Sequence, residues 1–258
     1  MSNSKLDVLY RGQSFASTLC RALGRGAFIV LMQVNEDGEG FVSIGDWAGE
    51  KPSVPSRAPF VANAKAAELF YAGKAVGLCT TPIISFEMGL GWMGGARDTR
   101  LIVGVSKWAE EHDLLLAVLT LYAMQHETQL HHVGIRFPSE VSMRLASQGI
   151  KASPLEVPAA DHMRIYHWMP SWHLATNGYY LETQYFPAGP QTEAYHWDLV
   201  TEDPVQLLEY VGSAFSITPE LFDDSGANDP IGMIWIPDKE GNMMGVMARK
   251  DWWYVEQG

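Results

Sequence analysis

Apolar residues recur at helical spacing from Val8 to Leu23, where Val8, Leu9, Phe15, Ala16, Leu19, Ala22 and Leu23 would share one face before Gly24 and Gly26 stop the helix. From Ala27 to Val34 the chain turns to Val, Ile, Leu and Phe. The Asn35–Gly40 segment offers glycine at turn positions before Phe41–Ile44, which predicts a β-hairpin. Pro52, Pro55 and Pro59 break regular structure; a second helix is expected over Ala62–Tyr71, ending at Gly73, and a strand over Ala75–Thr80. Arg100–Val105 reads as another strand. A helix over residues 113–126 follows, with Asp113 as its cap and Leu114, Leu115, Val118, Leu119, Tyr122 and Ala123 as its apolar stripe.

Later patterns are shorter. Ser139 can cap a helix running to Gly149, and Met163–Trp168 and Tyr179–Phe186 are rich in β-formers. Gly189-Pro190 between the latter and Ala194–Val200 is a hairpin signal. Asp203 caps a helix over Pro204–Phe215, with proline in the favoured first turn. A closing hairpin joins Met233–Ile236 to Met243–Met247 through residues 238–242. No sequence repeat is visible. The expected fold is α+β, with an antiparallel sheet flanked by helices in a first domain (1–130) and a second α+β domain rich in hairpins (131–258).

Composition refines this picture. The chain has 258 residues, 47% of them apolar, enough for a full core. Its apolar runs, such as Leu114–Leu119, fall well short of the roughly 18 residues that a bilayer span needs. The N-terminal residues lack the features of a secretory signal. A cytoplasmic protein of bacterial or phage origin is expected, with Cys20 and Cys79 as small buried hydrophobes. Residues 1–151 carry no net charge, whereas residues 152–258 hold 4 basic against 16 acidic side chains and six of the nine tryptophans.

Met88–Arg97 holds four glycines and an arginine. A phosphate cradle requires a strand before it and a helix after it, but a strand follows here. The expected element is a mobile hairpin or ligand-gating loop, with Trp92 and Arg97 as ligand-binding candidates.

The succession of helix, hairpin across an acidic turn, helix and strand, followed by Leu101-Ile102-Val103-Gly104-Val105 leading into Asp113-Leu114-Leu115-Leu116-Ala117, resembles a GAF-type sensory domain over about half the chain. The resemblance implies a central antiparallel sheet flanked by helices and a pocket that binds a small molecule or mediates dimerisation. No cyclic-nucleotide signature is matched, and neither cysteine supports bilin attachment.

Histidine is the natural carrier of chemistry. His126-Glu127 and His131-His132 fail as a zinc helix: five residues turn the second ring roughly 140° away from the first, and a metal would need a chain turn near Gln129. Neither a metal nor another cofactor is expected. His162, His167, His173 and His196, with Asp161, Glu182 and Asp198, could supply an acid and a base. No Gly-x-Ser-x-Gly elbow is present.

Acidic and aromatic residues mixed in one segment suit a contact with a basic protein partner and disfavour nucleic acid. Trp168, Trp172, Trp197, Asp198, Asp223, Asp224, Asp229, Trp252 and Trp253 are the partner-binding candidates, and a homodimer is compatible. The leading expectation is a non-catalytic regulatory or inhibitory protein. The alternative is a small-substrate enzyme using histidine and carboxylate groups between residues 161 and 198.

Overall fold

A computed structural model of the chain describes residues 5–71, 77–80, 93–149, 153–155, 169–174, 180–185, 194–222 and 230–250. The fold is α+β. The chain divides into one compact unit of Met1–Thr128 with Tyr210–Ile217, and another of Gln129–Glu209 with Thr218–Gly258. No helix among the described residues is long and apolar enough to cross a membrane.

The first unit contains α1 (Lys5–Ala22), β1 (Gly26–Val34), β2 (Phe41–Gly49), α2 (Ala58–Tyr71), β3 (Cys79–Thr80), β4 (Gly95–Asp98), β5 (Leu101–Ser106) and α3 (Glu110–Gln125). Its five strands pair antiparallel in the order β2-β1-β5-β4-β3. Val30, Met32, Val34 and Ile102 meet Ala62, Ala66 and Leu69 of α2. Leu31 points the other way: a Cβ on Gly12 of α1 would touch both Leu31 and Met124 of α3. The sheet is thus sandwiched between α2 on one face and α1 with α3 on the other, and β1 is apolar on both faces for that reason. Gly104 lets α2 lie close, since a Cβ there would stand 2.4 Å from the Ala62 carbonyl oxygen.

Three local expectations change. Pro59 lies within the first turn of α2, where its missing N–H costs nothing, so it does not break the helix. Arg97, on β4, is 4% exposed and donates to the carbonyls of Leu69 and Phe70 at the end of α2 and, through Nε, to Thr99. Asp113 is not a cap, since α3 begins after Ala109. The Asp113 carboxylate instead accepts from the Lys107 and Trp108 amides and from Lys65 Nζ at 3.2 Å, with both charged side chains almost fully buried. It thereby holds Lys107 at a φ of 145°.

Beyond α3, β6 (Thr128–Arg136), α4 (Glu140–Gly149), β7 (Ser153–Leu155), β8 (Met169–Leu174) and β9 (Tyr180–Tyr185) are followed by β10 (Ala194–Thr201), α5 (Pro204–Phe215), β11 (Glu220–Leu221), β12 (Gly232–Pro237) and β13 (Met243–Arg249), all of the second unit except Thr128 and α5 from Tyr210 onward. Ser139 and Asp203 cap their helices as expected: the Ser142 amide donates to Ser139 Oγ and the Gln206 amide to Asp203 Oδ1. The eight strands among the described residues run β11-β12-β13-β10-β6-β9-β8-β7. Among the described residues, each half of that order is a strand, a helix and three strands, in which the first and last strands pair in parallel. The architecture is therefore an internal structural repeat.

Equivalent positions follow from the register. His132 lies eight residues before α4 begins, and His196 eight before α5. Along the parallel pairs, His132, Gly134 and Arg136 face Tyr180, Glu182 and Gln184, while His196, Asp198 and Val200 face Gly245, Met247 and Arg249. The hairpin expected between β9 and β10 does not form, because β6 lies between them. Residues 163–168 lie outside the described residues.

Lys65→Met leaves the Asp113 carboxylate buried without its cation and should cost about 3–5 kcal/mol of stability, read from urea unfolding. A loss below about 1 kcal/mol would show that the pair does not stabilise the unit.

Candidate metal centre

The first strands of the two repeats, β6 and β10, are neighbours at the centre of the eight-stranded sheet. Their equivalent histidines consequently meet: the His132 and His196 rings lie edge to face with centroids 5.7 Å apart. Gly134 makes this possible. A Cβ there would stand 1.8 Å from His196 Cε1, so the His196 ring occupies the space that any other residue would fill.

Glu182, opposite Gly134 on β9, completes the group. Its Oε2 lies 3.3 Å from His132 Nε2 and 3.7 Å from His196 Nε2, and all three side chains are 2% exposed or less. Gln184 Nε2 donates to Glu182 Oε2 at 2.8 Å. Glu182 Oε1 and both ring nitrogens of His196 have no hydrogen-bond partner among the described residues.

A second triplet, His131, His132 and Asp198, lies beside the first. Its electrostatics are already settled. Arg249 donates to Asp198 Oδ1 at 2.7 Å and to Oδ2. Burial alone would raise Asp198, but the charge and hydrogen bond of Arg249, with His132, outweigh it and hold the carboxyl well below its usual range. His131 Nδ1 is 2.7 Å from His132 Nδ1, so only one of the two nitrogens carries a proton.

Desolvation drives the first triplet the other way. Burial, with the neighbouring Asp198 charge, raises the Glu182 carboxyl to about 8. Burial lowers His132 well below its ordinary value and brings His196 down to about 3, so both rings are neutral and offer lone pairs.

A divalent ion fits the His132–Glu182–His196 group. Donors about 2.0–2.2 Å from a metal in tetrahedral or octahedral geometry stand about 3.0–3.5 Å apart, near the spacings found here. An ion would engage the unpartnered atoms and favour the ionised carboxylate. His132 would bind through Nε2, with Nδ1–H donating to His131, the usual way in which a ligand ring is oriented.

His131 and His132 were set aside in the sequence on the premise of a continuous helix. In the structure α3 ends at Gln125, His126 is extended and stacks on Tyr122, and the two histidines lie on a strand. The break comes after Gln125 and not near Gln129, which lies within β6, so His126 takes no part; the strand-like Leu130-His131-His132-Val133-Gly134-Ile135 was the available signal. Glu182, His196 and Asp198 were candidates and are brought together. Gly134, Arg136, Gln184 and Arg249 were not singled out.

Trp197 and Asp198, expected to bind a partner, are fully buried. Trp172 and His173 lie on β8, in register with Glu182 and Leu181. Trp92, Asp161, His162, His167, Trp168, Asp223, Asp224, Asp229, Trp252 and Trp253 lie outside the described residues.

No family model and no curated protein matches the chain. Among solved structures, a hypothetical protein of Bacillus halodurans aligns at 12% identity over 50% of this chain and 99% of its own, with a TM-score of 0.30. A catechol 2,3-dioxygenase aligns at 16% identity over 46% of this chain and 38% of its own, with a TM-score of 0.26. Glyoxalase I of Zea mays aligns at 12% over 49% of this chain and 47% of its own, with a TM-score of 0.17. Two of these neighbours are described as a dioxygenase and a glyoxalase and none as a GAF domain, and the GAF-type resemblance of the first half is corrected accordingly. Its physical weakness is plain: helices flanking an antiparallel sheet impose one apolar pattern on many α+β folds. The likenesses carry no activity over to this chain.

Glu182 binds a proton in the folded, metal-free protein between its ordinary 4.5 and about 8, which the unfolded chain lacks. Its contribution to stability is therefore lost as pH rises through that window. His132 and His196 act with opposite sign, their contribution being lost as pH falls below 6.5. With chelator present, stability should fall between pH 6.5 and about 8, and Glu182→Gln should flatten the slope in urea titrations. An unchanged slope in the variant would refute the assignment.

Proposed function

We propose that the second unit is the catalytic part of a metal-dependent enzyme acting on a small substrate, with a divalent ion held by His132, Glu182 and His196. The observation that carries this reading is the fully buried group of two neutral imidazoles and one carboxylate whose donor atoms lie within 4.8 Å of one another and remain partly unpaired. Buried carboxylates without a cation or hydrogen bonds are costly, so their clustering calls for a ligand.

Two nitrogens and one oxygen suit manganese, iron, cobalt, nickel or zinc better than the oxygen-seeking calcium and magnesium. An ion held by three protein donors keeps coordination positions for substrate or water and supplies Lewis acidity. The chain's own residues do the rest. Arg249 keeps Asp198 ionised and engaged. Asp198 Oδ2 lies 3.8 Å from His132 Nδ1, where its charge favours a proton on that nitrogen and leaves Nε2 as the donor. Glu182 is fixed by Gln184 on β9. Trp235 packs edge-on against the His196 ring at 5.8 Å and limits its rotation.

This reading keeps the enzyme alternative but shifts its residues, adding His132 from β6 and resting on Glu182 and His196. Association with a basic protein partner is a separate proposal, supported by the charge of residues 152–258 and not by Trp197 or Asp198.

Elemental analysis of protein purified without added metal should show close to one equivalent of a first-row divalent ion, and titration should show a single site. His196→Ala and Glu182→Ala should each weaken binding by about 100-fold or more, since each removes one of three donors. At metal concentrations about 100 times Kd, the wild-type protein should gain about 2.7 kcal/mol of stability that chelator reverses. Wild-type protein that neither contains nor takes up metal would sink the reading.

A further inference from the structure

Resting on that reading, we propose that Gln184 is the positioning residue that keeps Glu182, and not Asp198, available to a metal ion, and that Arg136 orients Gln184 for this task. Gln184 and Arg249 occupy equivalent positions, one strand pairing with Arg136 of β6 and the other with Val200 of β10. In each repeat this position holds a buried carboxylate, but with different chemistry.

Arg249 meets Asp198 with two guanidinium donors, which neutralises the carboxylate and occupies both oxygens. Gln184 meets Glu182 with one neutral amide donor at 2.8 Å, which fixes Oε2 between the two histidine Nε2 atoms without an ion pair. A guanidinium competes with a metal ion for a carboxylate; an amide does not. The two triplets share His132, so the residue at this one position decides which carboxylate beside it is tied up by a guanidinium and which is not.

An amide can face either way, and only one orientation serves. Arg136 Nε and a terminal guanidinium nitrogen donate to Gln184 Oε1 at 3.4 and 3.3 Å, which identifies that atom as the oxygen and turns the NH2 group toward Glu182. Arg136 is itself held 4.7 Å above the Trp235 ring, the same ring that packs against His196. Trp235 therefore bears on both the relay behind Glu182 and the His196 ligand. Arg136, nearly fully buried, touches the site through Gln184, and its charge is also felt by Glu182 and His196.

The test compares wild-type protein with Gln184→Met, similar in size but without donors, Gln184→Arg, and Arg136→Lys, which keeps charge but loses the planar fork. Zn²⁺ and Co²⁺ affinities are measured by competition with a chromophoric chelator, and the visible spectrum of Co²⁺-loaded protein reports the donor geometry. Gln184→Met should weaken both ions by about 10–100-fold and alter the Co²⁺ spectrum; Gln184→Arg should weaken them further, and Arg136→Lys less than either. Affinities within about twofold of wild type and an unchanged spectrum for Gln184→Met would overturn the proposal, even if its melting temperature fell, because packing alone would then explain the residue. Should Gln184→Met not fold, the Arg136→Lys affinity decides by the same criteria. Wild-type protein that binds neither ion overturns the metal reading and this proposal together, whereas binding wild type with an indifferent variant overturns this proposal alone.

Discussion

Ionisable side chains buried in the middle of a β-sheet must have their desolvation offset, and the second unit is organised around that requirement. His131, His132, Glu182, His196, Asp198, Arg136 and Arg249 all lie at the level of β6, β9, β10 and β13 with almost no solvent exposure. Stripping a carboxylate of water costs several kcal/mol unless charge and hydrogen bonds replace it. Asp198 receives both from Arg249. Glu182 receives one amide donor and two neutral rings but no guanidinium hydrogen bond, and burial outweighs the more distant Arg249 and Arg136 charges. The same constraint is met differently in the first unit, where Lys65 and Asp113 compensate one another and the carboxylate also binds two backbone amides. A closed pair explains a fold; an unclosed one asks for a ligand.

The repeat explains why such a group arises at this place. Two copies of a strand–helix–three-strand unit set their first strands side by side, so residues at one position of the repeat become neighbours at the sheet centre. His132 and His196 are such a pair. The remaining positions have diverged in complementary ways: Gly134 stands where the second copy has Asp198, and Glu182 where it has Met247. Removing a side chain at residue 134 opens the space into which the His196 ring enters. Each copy contributes a histidine and a carboxylate, but from different strands.

Local signals were legible in the sequence and long-range ones were not. The helices α1 and α5, the Ser139 and Asp203 caps and the hairpins β1–β2 and β12–β13 follow from periodicity, capping and turn chemistry within a few residues. The pairing of β6 with both β9 and β10 depends on residues about fifty and sixty positions away, and no local pattern encodes it. Reading Gly189-Pro190 as a hairpin placed β9 beside β10 and so hid the strand between them. The histidines were lost through one boundary: carrying α3 past Gln125 put His131 and His132 on a helix, whereas a strand brings each of them within reach of residues on β9 and β10. Arg97, a ligand-binding candidate by its glycine-rich neighbourhood, is buried with its guanidinium on the carbonyls that end α2, a long-range contact that no local pattern encodes.

The acidity of residues 152–258 takes a different meaning once burial is known. Glu182 and Asp198 belong to that charge, yet neither projects a field into solvent: Asp198 is cancelled by Arg249, and Glu182 holds a proton up to about pH 8 without a cation. Trp197, taken from composition as a contact residue, is fully enclosed. Charge and aromatic content counted along the chain therefore mix two physical roles, solvated surface and internal chemistry. A buried carboxylate that stays protonated at neutral pH adds nothing to steering a partner, but it would exchange that proton for a metal ion at little further desolvation cost, because folding has already removed its side chain from solvent.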